Sequence, residues 1–219
     1  MSNPIRIDFV SDVSCPWCAI GLLALEQAIE RVGDEAKVEL HFQPFELNPD
    51  MPAEGEDLDA HMMRKYGITL AQVADNREQI RQRGEALGFT FKGRPGGRIY
   101  NTFDAHRLLH WAGLEGKQRA LKLALLRSYF SEGGNPADHE TLVALAVAAG
   151  LDGDRARQIL KTDAYAAEVR EHERFYTSQG IRAVPSVVFN ERHLIQGGQP
   201  VEMFEQALRQ LAADAPKPG

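Results

Sequence analysis

Cysteine is scarce in this chain: its 219 residues include two, Cys15 and Cys18. That excludes a disulfide framework, and a chain of this size needs none, because it buries about 70–75% of its unfolded surface on folding. Basic charge is also short. With 25 Lys+Arg against 31 Asp+Glu, the net charge is −6 and the pI near 5.7. A polyanion-binding surface is therefore not its main business, and no nucleic-acid partner is expected. Long hydrophobic runs are missing too, with nowhere the roughly 18 consecutive apolar residues of a membrane span. Residues 1–8 lack the basic stretch followed by an apolar stretch of a secretory leader. A cytoplasmic protein without a membrane span is expected. Low-complexity segments and internal repeats are absent, and 43% hydrophobic with 26% charged residues is the balance of a folded domain rather than a disordered chain.

What is present reads as an interrupted α/β pattern. Ile5, Ile7 and Phe9 alternate with Arg6 and Asp8, predicting a strand that ends near Val10. Leu22, Leu25, Ile29 and Val32 then recur at helical spacing up to Gly33. Val38, Leu40 and Phe42 alternate as a second strand stopped by Pro44. Strand, helix and strand in so short a span form a βαβ unit, so the two strands should be parallel. From residue 49 to 180 the reading is helical, with helices predicted over 70–87, 101–112, 117–130, 138–149 and 165–179, and a glycine-rich loop at Gly93, Arg94, Pro95, Gly96 and Gly97. The loop is a possible rim over the thiols. Residues 184–189 resume the sheet, Asn190, Glu191 and Arg192 turn the chain, and His193, Leu194 and Ile195 return as an antiparallel partner. Phe204, Ala207, Leu208 and Leu211 stripe a last helix, with a frayed tail from Ala212.

The cysteines sit where such a pattern puts chemistry. Cys15-Pro16-Trp17-Cys18 follows a strand and opens a helix, the context in which a Cys-x-x-Cys pair reads as redox-active. Unpaired amides and the helix dipole place positive charge at the first turn, so a Cys15 thiolate is stabilised and its pKa is expected below about 8.5. Pro16 suits the first helical position. Cys18, one turn in, is placed to attack a mixed disulfide on Cys15. The competing readings are weaker. A zinc site would need two further ligands from the seven histidines, so no metal is expected. A bridge across two residues adds little chain-entropy stabilisation, and two inert buried thiols remain the plainest alternative. Pro185 after Val184, at the start of a late strand, is compatible with either a cis bond or an ordinary strand edge.

Together these residues resemble the DsbA-like branch of the thioredoxin superfamily, and most closely the FrnE-type dithiol–disulfide isomerases. The resemblance is carried by Cys15-Pro16-Trp17-Cys18, Phe45-Glu46-Leu47-Asn48-Pro49, Ala105-His106-Arg107, Tyr129-Phe130 with Glu132-Gly133, and Gly180-Ile181-Arg182 leading into Val184-Pro185. It spans nearly the whole chain. It implies an α/β thioredoxin fold, residues 1–48 and 181–215, interrupted by a large all-helical insertion, residues 49–180. It also implies that Pro185 is cis, that Cys15 attacks and Cys18 resolves, and that Pro16, Trp17 and Val184 shape the contact with a disulfide or dithiol substrate, either a peptide or a small molecule. Asp8 resembles the acid that such proteins carry beneath the thiols, which would accept the Cys18 proton; a solvent-facing Asp8 is the alternative.

Kappa-class glutathione transferases and hydroxychromene-carboxylate isomerases resemble the chain as well, and a glutathione-dependent transferase or isomerase is the alternative function. They hold the glutathione sulfur with a serine where this chain has Cys15. No cofactor is expected to be required, with glutathione as a possible co-substrate. By the same resemblance Asn48 is a candidate substrate contact, and Gly197, Gly198 and Gln199 are candidates to hold a carboxylate before the last helix; each is otherwise a turn residue. A monomer or homodimer is expected, recycled by a reducing partner that the sequence does not name.

Overall fold

The computed structural model describes residues 4–52, 54–92 and 97–214. Strand β1 (Ile5–Ser11) is central, parallel to β2 (Val38–Pro44) and antiparallel to β5 (Ser186–Phe189), which pairs in turn with β6 (His193–Gln196). Helix α1 (Pro16–Val32) supplies the crossover between β1 and β2, as the βαβ reading requires. The period-two alternation of β1 divides its side chains between two faces. Ile5, Ile7 and Phe9 join the core formed with α1 and with α9 (Val201–Asp214), whereas Val10 packs with Tyr176 and Ile181 on the other side.

Two elements are shorter or longer than the alternation suggested. Strand β5 begins at Ser186 because cis Pro185 has no N–H to give the ladder. Pro44 is the last residue of β2 rather than its stop. Ala212, Ala213 and Asp214, expected to fray, complete α9.

Between β2 and β5 lie α2 (Leu58–Tyr66), α3 (Leu70–Ala86), α4 (Phe103–Leu114), α5 (Gln118–Arg127) with a π-helical turn (Ser128–Glu132), α6 (His139–Ala148), α7 (Gly153–Lys161) and α8 (Ala166–Ser178). Side chains cap several: Asp57 accepts from the Ala60 amide, Asp138 from Thr141 and Asp152 from Arg155, while Thr69 and Gln72 form a capping box. The expectation of an all-helical insertion needs one amendment. Strands β3 (Glu56–Asp57) and β4 (Arg98–Ile99) pair as an antiparallel ribbon; two residues each are too few for a period to register. Gly93, Arg94, Pro95 and Gly96 of the expected loop lie outside the described residues.

The insertion has its own core, built on Leu108, Leu121, Leu125, Leu142 and Ile159, and Val13 of the β1–α1 loop belongs to it. Cys15 and Cys18, a few residues on, belong to the core under the sheet. The loop carrying the thiols is thus held from both sides. The exposed edge of β2 is closed by Gln118, whose side-chain amide both donates to the Phe42 carbonyl and accepts from its N–H, each at 3.1 Å.

Candidate active site

Cys15 is the N-cap of α1 and Pro16 its first residue. With no side-chain cap and no acidic residue in that turn, the helix N-terminus is left to the Cys15 sulfur. Cys15 Sγ lies 3.7 Å from the Val184 carbonyl oxygen, so the thiol meets the backbone just before cis Pro185. Both cysteines are free and buried, Cys15 at 4% exposure and Cys18 at 0%. Burial, and then the adjacent Cys15 sulfur, push the Cys18 thiol well above the ordinary range; Lys122 and a backbone hydrogen bond from Asp12 pull against them.

Two glycines make this packing possible. A Cβ on Gly21 would stand 3.0 Å from the Pro185 ring, and one on Gly198 would stand 3.2 Å from both the Trp17 indole and its carbonyl oxygen. Gly21 lies inside a helix, where glycine costs about 1 kcal/mol against alanine, and that cost was the available signal of a close approach. Arg83 of α3 stacks over Trp17 at 5.8 Å and donates to the Gly198 carbonyl at 2.7 Å, fastening the insertion to the dithiol turn.

The other candidates divide. Asn48 Oδ1 accepts from Lys65 Nζ at 2.7 Å and pairs with His61 Nε2 at 2.9 Å, so it holds α2 beside the site; Tyr66, half-exposed on the same helix, lies within electrostatic reach of Cys15. The Gly197 amide donates to the Pro185 carbonyl at 2.8 Å and the Gln199 amide to the Gly197 carbonyl at 2.9 Å, which leaves this segment fewer free donors for a carboxylate than its glycines suggested. Gln199 Nε2 is spent on the Gln196 carbonyl.

Asp8 is buried, but on the sheet face away from α1. Its carboxylate accepts from Arg6 Nε at 2.8 Å and Gln43 Nε2 at 2.7 Å. The acid near the thiols is Asp12, whose Oδ2 accepts from the Leu47 amide at 2.7 Å and whose Oδ1 lies 3.6 Å from His106 Nε2. Burial raises the Asp12 pKa, yet His106 and the two amides of Leu47 and Ser14 outweigh it and leave the carboxyl below its ordinary value. Lys122 of α5, at 1% exposure, feels Cys18, Asp12 and Cys15. Neither group was foreseen. The signal for Lys122 was a lysine between Leu121 and Leu125 on an otherwise apolar stripe.

These elements match known proteins along nearly their whole length. The DSBA-like thioredoxin domain family matches residues 6–209. The chain belongs to this family. A probable DsbA oxidoreductase of Streptomyces coelicolor is 33% identical, covering 98% of this chain and 93% of its own, with a TM-score of 0.91. The uncharacterized YwbO of Bacillus subtilis is 28% identical over 205 residues, 93% of this chain and 96% of that protein. The cytosolic disulfide reductase DsbM of Pseudomonas aeruginosa, solved with glutathione, shares the fold at 17% identity, covering 94% and 98% of the two chains with a TM-score of 0.63. A DsbA-like thiol oxidoreductase fold is thereby established, and no described helix is long and apolar enough to cross a membrane.

One buried acid close to the site carries a stability prediction. Glu46, which precedes the Leu47 amide on Asp12, pairs with Arg170, which Glu173 shares at 2.7 Å. Burial and then the Glu173 charge raise its carboxyl from 4.5 to about 7, against the pull of Arg170. Between those values the folded chain holds a proton that the unfolded chain has lost, so stability falls as pH rises through the window. Glu46→Gln keeps an acceptor for Arg170 and is expected to flatten that fall, raising stability at pH 8 relative to wild type by up to about 3 kcal/mol. Urea midpoints at pH 5 and pH 8 measure it; equal pH slopes in both proteins would contradict it.

Proposed function

We propose that the protein is a cytoplasmic FrnE-type thiol–disulfide oxidoreductase and isomerase whose redox centre is Cys15-Pro16-Trp17-Cys18. Cys15 attacks a substrate disulfide and releases one thiolate. Cys18 then attacks Cys15 in the mixed disulfide, freeing the second substrate sulfur and leaving the Cys15–Cys18 bond; the reverse sequence oxidises a dithiol. The observation that carries this reading is Cys15 at an uncapped helix N-terminus with its sulfur against the Val184 backbone. Val184 and Pro185 would guide an extended substrate past the thiol, and Trp17 would floor its approach.

With Cys15 at 4% exposure, entry is narrow, which favours a small disulfide or an extended peptide over a folded surface. Arg83 lies over Trp17 beside it, a setting suited to carboxylate-bearing thiols, so glutathione is a fitting co-substrate. In a cytosolic redox poise the pair would be held reduced and work as a reductase or isomerase.

The test is the redox equilibrium of the thiols against glutathione buffers, followed by Trp17 fluorescence. A reversible two-electron transition is expected, with a midpoint between about −270 and −120 mV. A stable Cys15–glutathione adduct with no internal disulfide would overturn the reading.

A further inference from the structure

Lysine is rarely buried without a partner. Lys122 on α5 is 1% exposed, yet among the described residues no hydrogen bond or ion pair engages it. Its neighbours Leu121, Leu125 and Leu126 are taken up by the two cores. Lys122 itself lines a cleft of about 510 Å³ between β2, α4, α5 and α8. Neither cysteine lines that cleft, nor does Trp17, Val184 or Pro185, so it is separate from the thiol entry.

The cleft carries charge of one sign. Lys122, Arg6 and Arg119 line it with four of the chain's seven histidines, His41, His106, His110 and His172, and among the described residues no carboxylate does. In a chain of net charge −6, a wall of this kind attracts anions. Two of its cations are already served from behind, Arg6 by Asp8 at 2.8 Å and Arg119 by Glu26 at 2.5 Å. Lys122 is not. Burial holds its pKa below the ordinary lysine range, as expected of a cation with no hydrogen-bonded counter-charge. The Nε2 atoms of His41 and His106 are also buried without a hydrogen-bond partner. His106 Nε2 stands 3.6 Å from an Asp12 carboxylate that the Leu47 and Ser14 amides already hold. Buried polar groups are normally satisfied, so three open nitrogens on β2, α4 and α5 point to an acceptor that arrives from outside.

Their chemistry selects the acceptor. One ammonium and two imidazoles, brought by three different elements, suit the three oxygens of a phosphate better than the coplanar pair of a carboxylate, which matches a guanidinium fork. The volume is that of a site for a small organic molecule. The rings of His110 and His172 lie 5.5 Å apart, with Tyr165 behind His110 at 5.3 Å, and Phe42 and Leu109 add apolar wall, a lining for a planar body.

We infer that this cleft binds a small organic phosphate monoester, its phosphate on Lys122, His41 and His106 and a planar body along His110, His172 and Leu109. The site is additional to the thiol chemistry and does not depend on the exchange reading.

Phenyl phosphate is the probe, titrated into the full-length protein beside inorganic phosphate and benzoate, and followed by calorimetry and by the imidazole NMR signals of the seven histidines. It is expected to bind and to shift His41, His106, His110 and His172, while His61, His139 and His193, which do not line the cleft, stay in place. Inorganic phosphate, without the body, and benzoate, without the third oxygen, are each expected to bind at least about tenfold more weakly. Lys122→Met is expected to weaken phenyl phosphate binding at least about tenfold. Because it removes a buried unpaired cation, it is also expected to raise the urea midpoint of the ligand-free protein, which separates lost binding from lost folding. Absence of phenyl phosphate binding, unchanged affinity in Lys122→Met, or shifts confined to the other three histidines would overturn the site. Benzoate as tight as phenyl phosphate would overturn the phosphate, and inorganic phosphate as tight would overturn the organic body.

Discussion

Cys15→Ser is expected to abolish reduction of a small disulfide, by at least about a thousandfold, whereas Cys18→Ser is expected to keep the first attack and stall as a mixed disulfide on Cys15. The asymmetry follows from where helix α1 begins. Cys15 is the N-cap, outside the first turn, with its sulfur 3.7 Å from the Val184 carbonyl. Cys18 is one turn inside, fully buried, its thiol raised by burial. An incoming disulfide reaches Cys15 first, and Cys18 can act only on a sulfur already bound there. Mass spectrometry of each variant after glutathione disulfide treatment reads the outcome: an adduct on Cys18→Ser and none on Cys15→Ser. An adduct on Cys18 in the Cys15→Ser protein would reverse the assigned roles.

The thiol pair was legible because its signal is local: two cysteines three positions apart between a period-two stretch and a helical one. The same holds for β1, β2 and the β5–β6 hairpin, whose alternation is the direct imprint of two-faced burial. What escaped reading is what depends on elements distant in the chain. Asp8 alternates correctly with Ile7 and Phe9, but alternation does not say which face meets the thiols, and Asp8 faces the sheet side that Tyr176 covers. Asp12 and Lys122 are far apart in sequence and come within electrostatic reach only because α5 packs on the loop after β1 through Val13. Helix α7 escaped because its inward face is only Ala156, Ile159 and Leu160, too short a stripe to stand out among charged neighbours. The resemblance motif Ala105-His106-Arg107 was visible without its reason. The structure supplies one for two of its members: His106 beside Asp12, and Arg107 in the packing of the insertion.

Arg107→Met is expected to cost about 3–5 kcal/mol, the range for breaking a buried charged network. Arg107 is buried on α4, and its guanidinium serves four partners: Nε donates to the Ala164 carbonyl at 2.9 Å, one terminal nitrogen to Asp104 at 2.7 Å, and the other to the Ile159 and Thr162 carbonyls. Those two carbonyls lie at the C-terminal end of α7, where backbone acceptors lack intrahelical donors and positive charge is favoured. One side chain thus fastens α4 to the end of α7 and to the segment that leads into α8. Methionine fills much of the volume but removes a donor from Asp104 and from three carbonyls; Asp104 keeps its 2.8 Å contact with His139 and the Ile159 carbonyl its 3.3 Å bond from the Thr162 amide. Arg107→Lys is expected to recover only part of the loss, since a single ammonium cannot span the fork. Urea midpoints measure the cost, and amide exchange locates it, with protection lost first in α7 and at the start of α8. A change below about 1 kcal/mol would mean that water replaces the guanidinium at all four partners, and that the insertion is held by its apolar core alone.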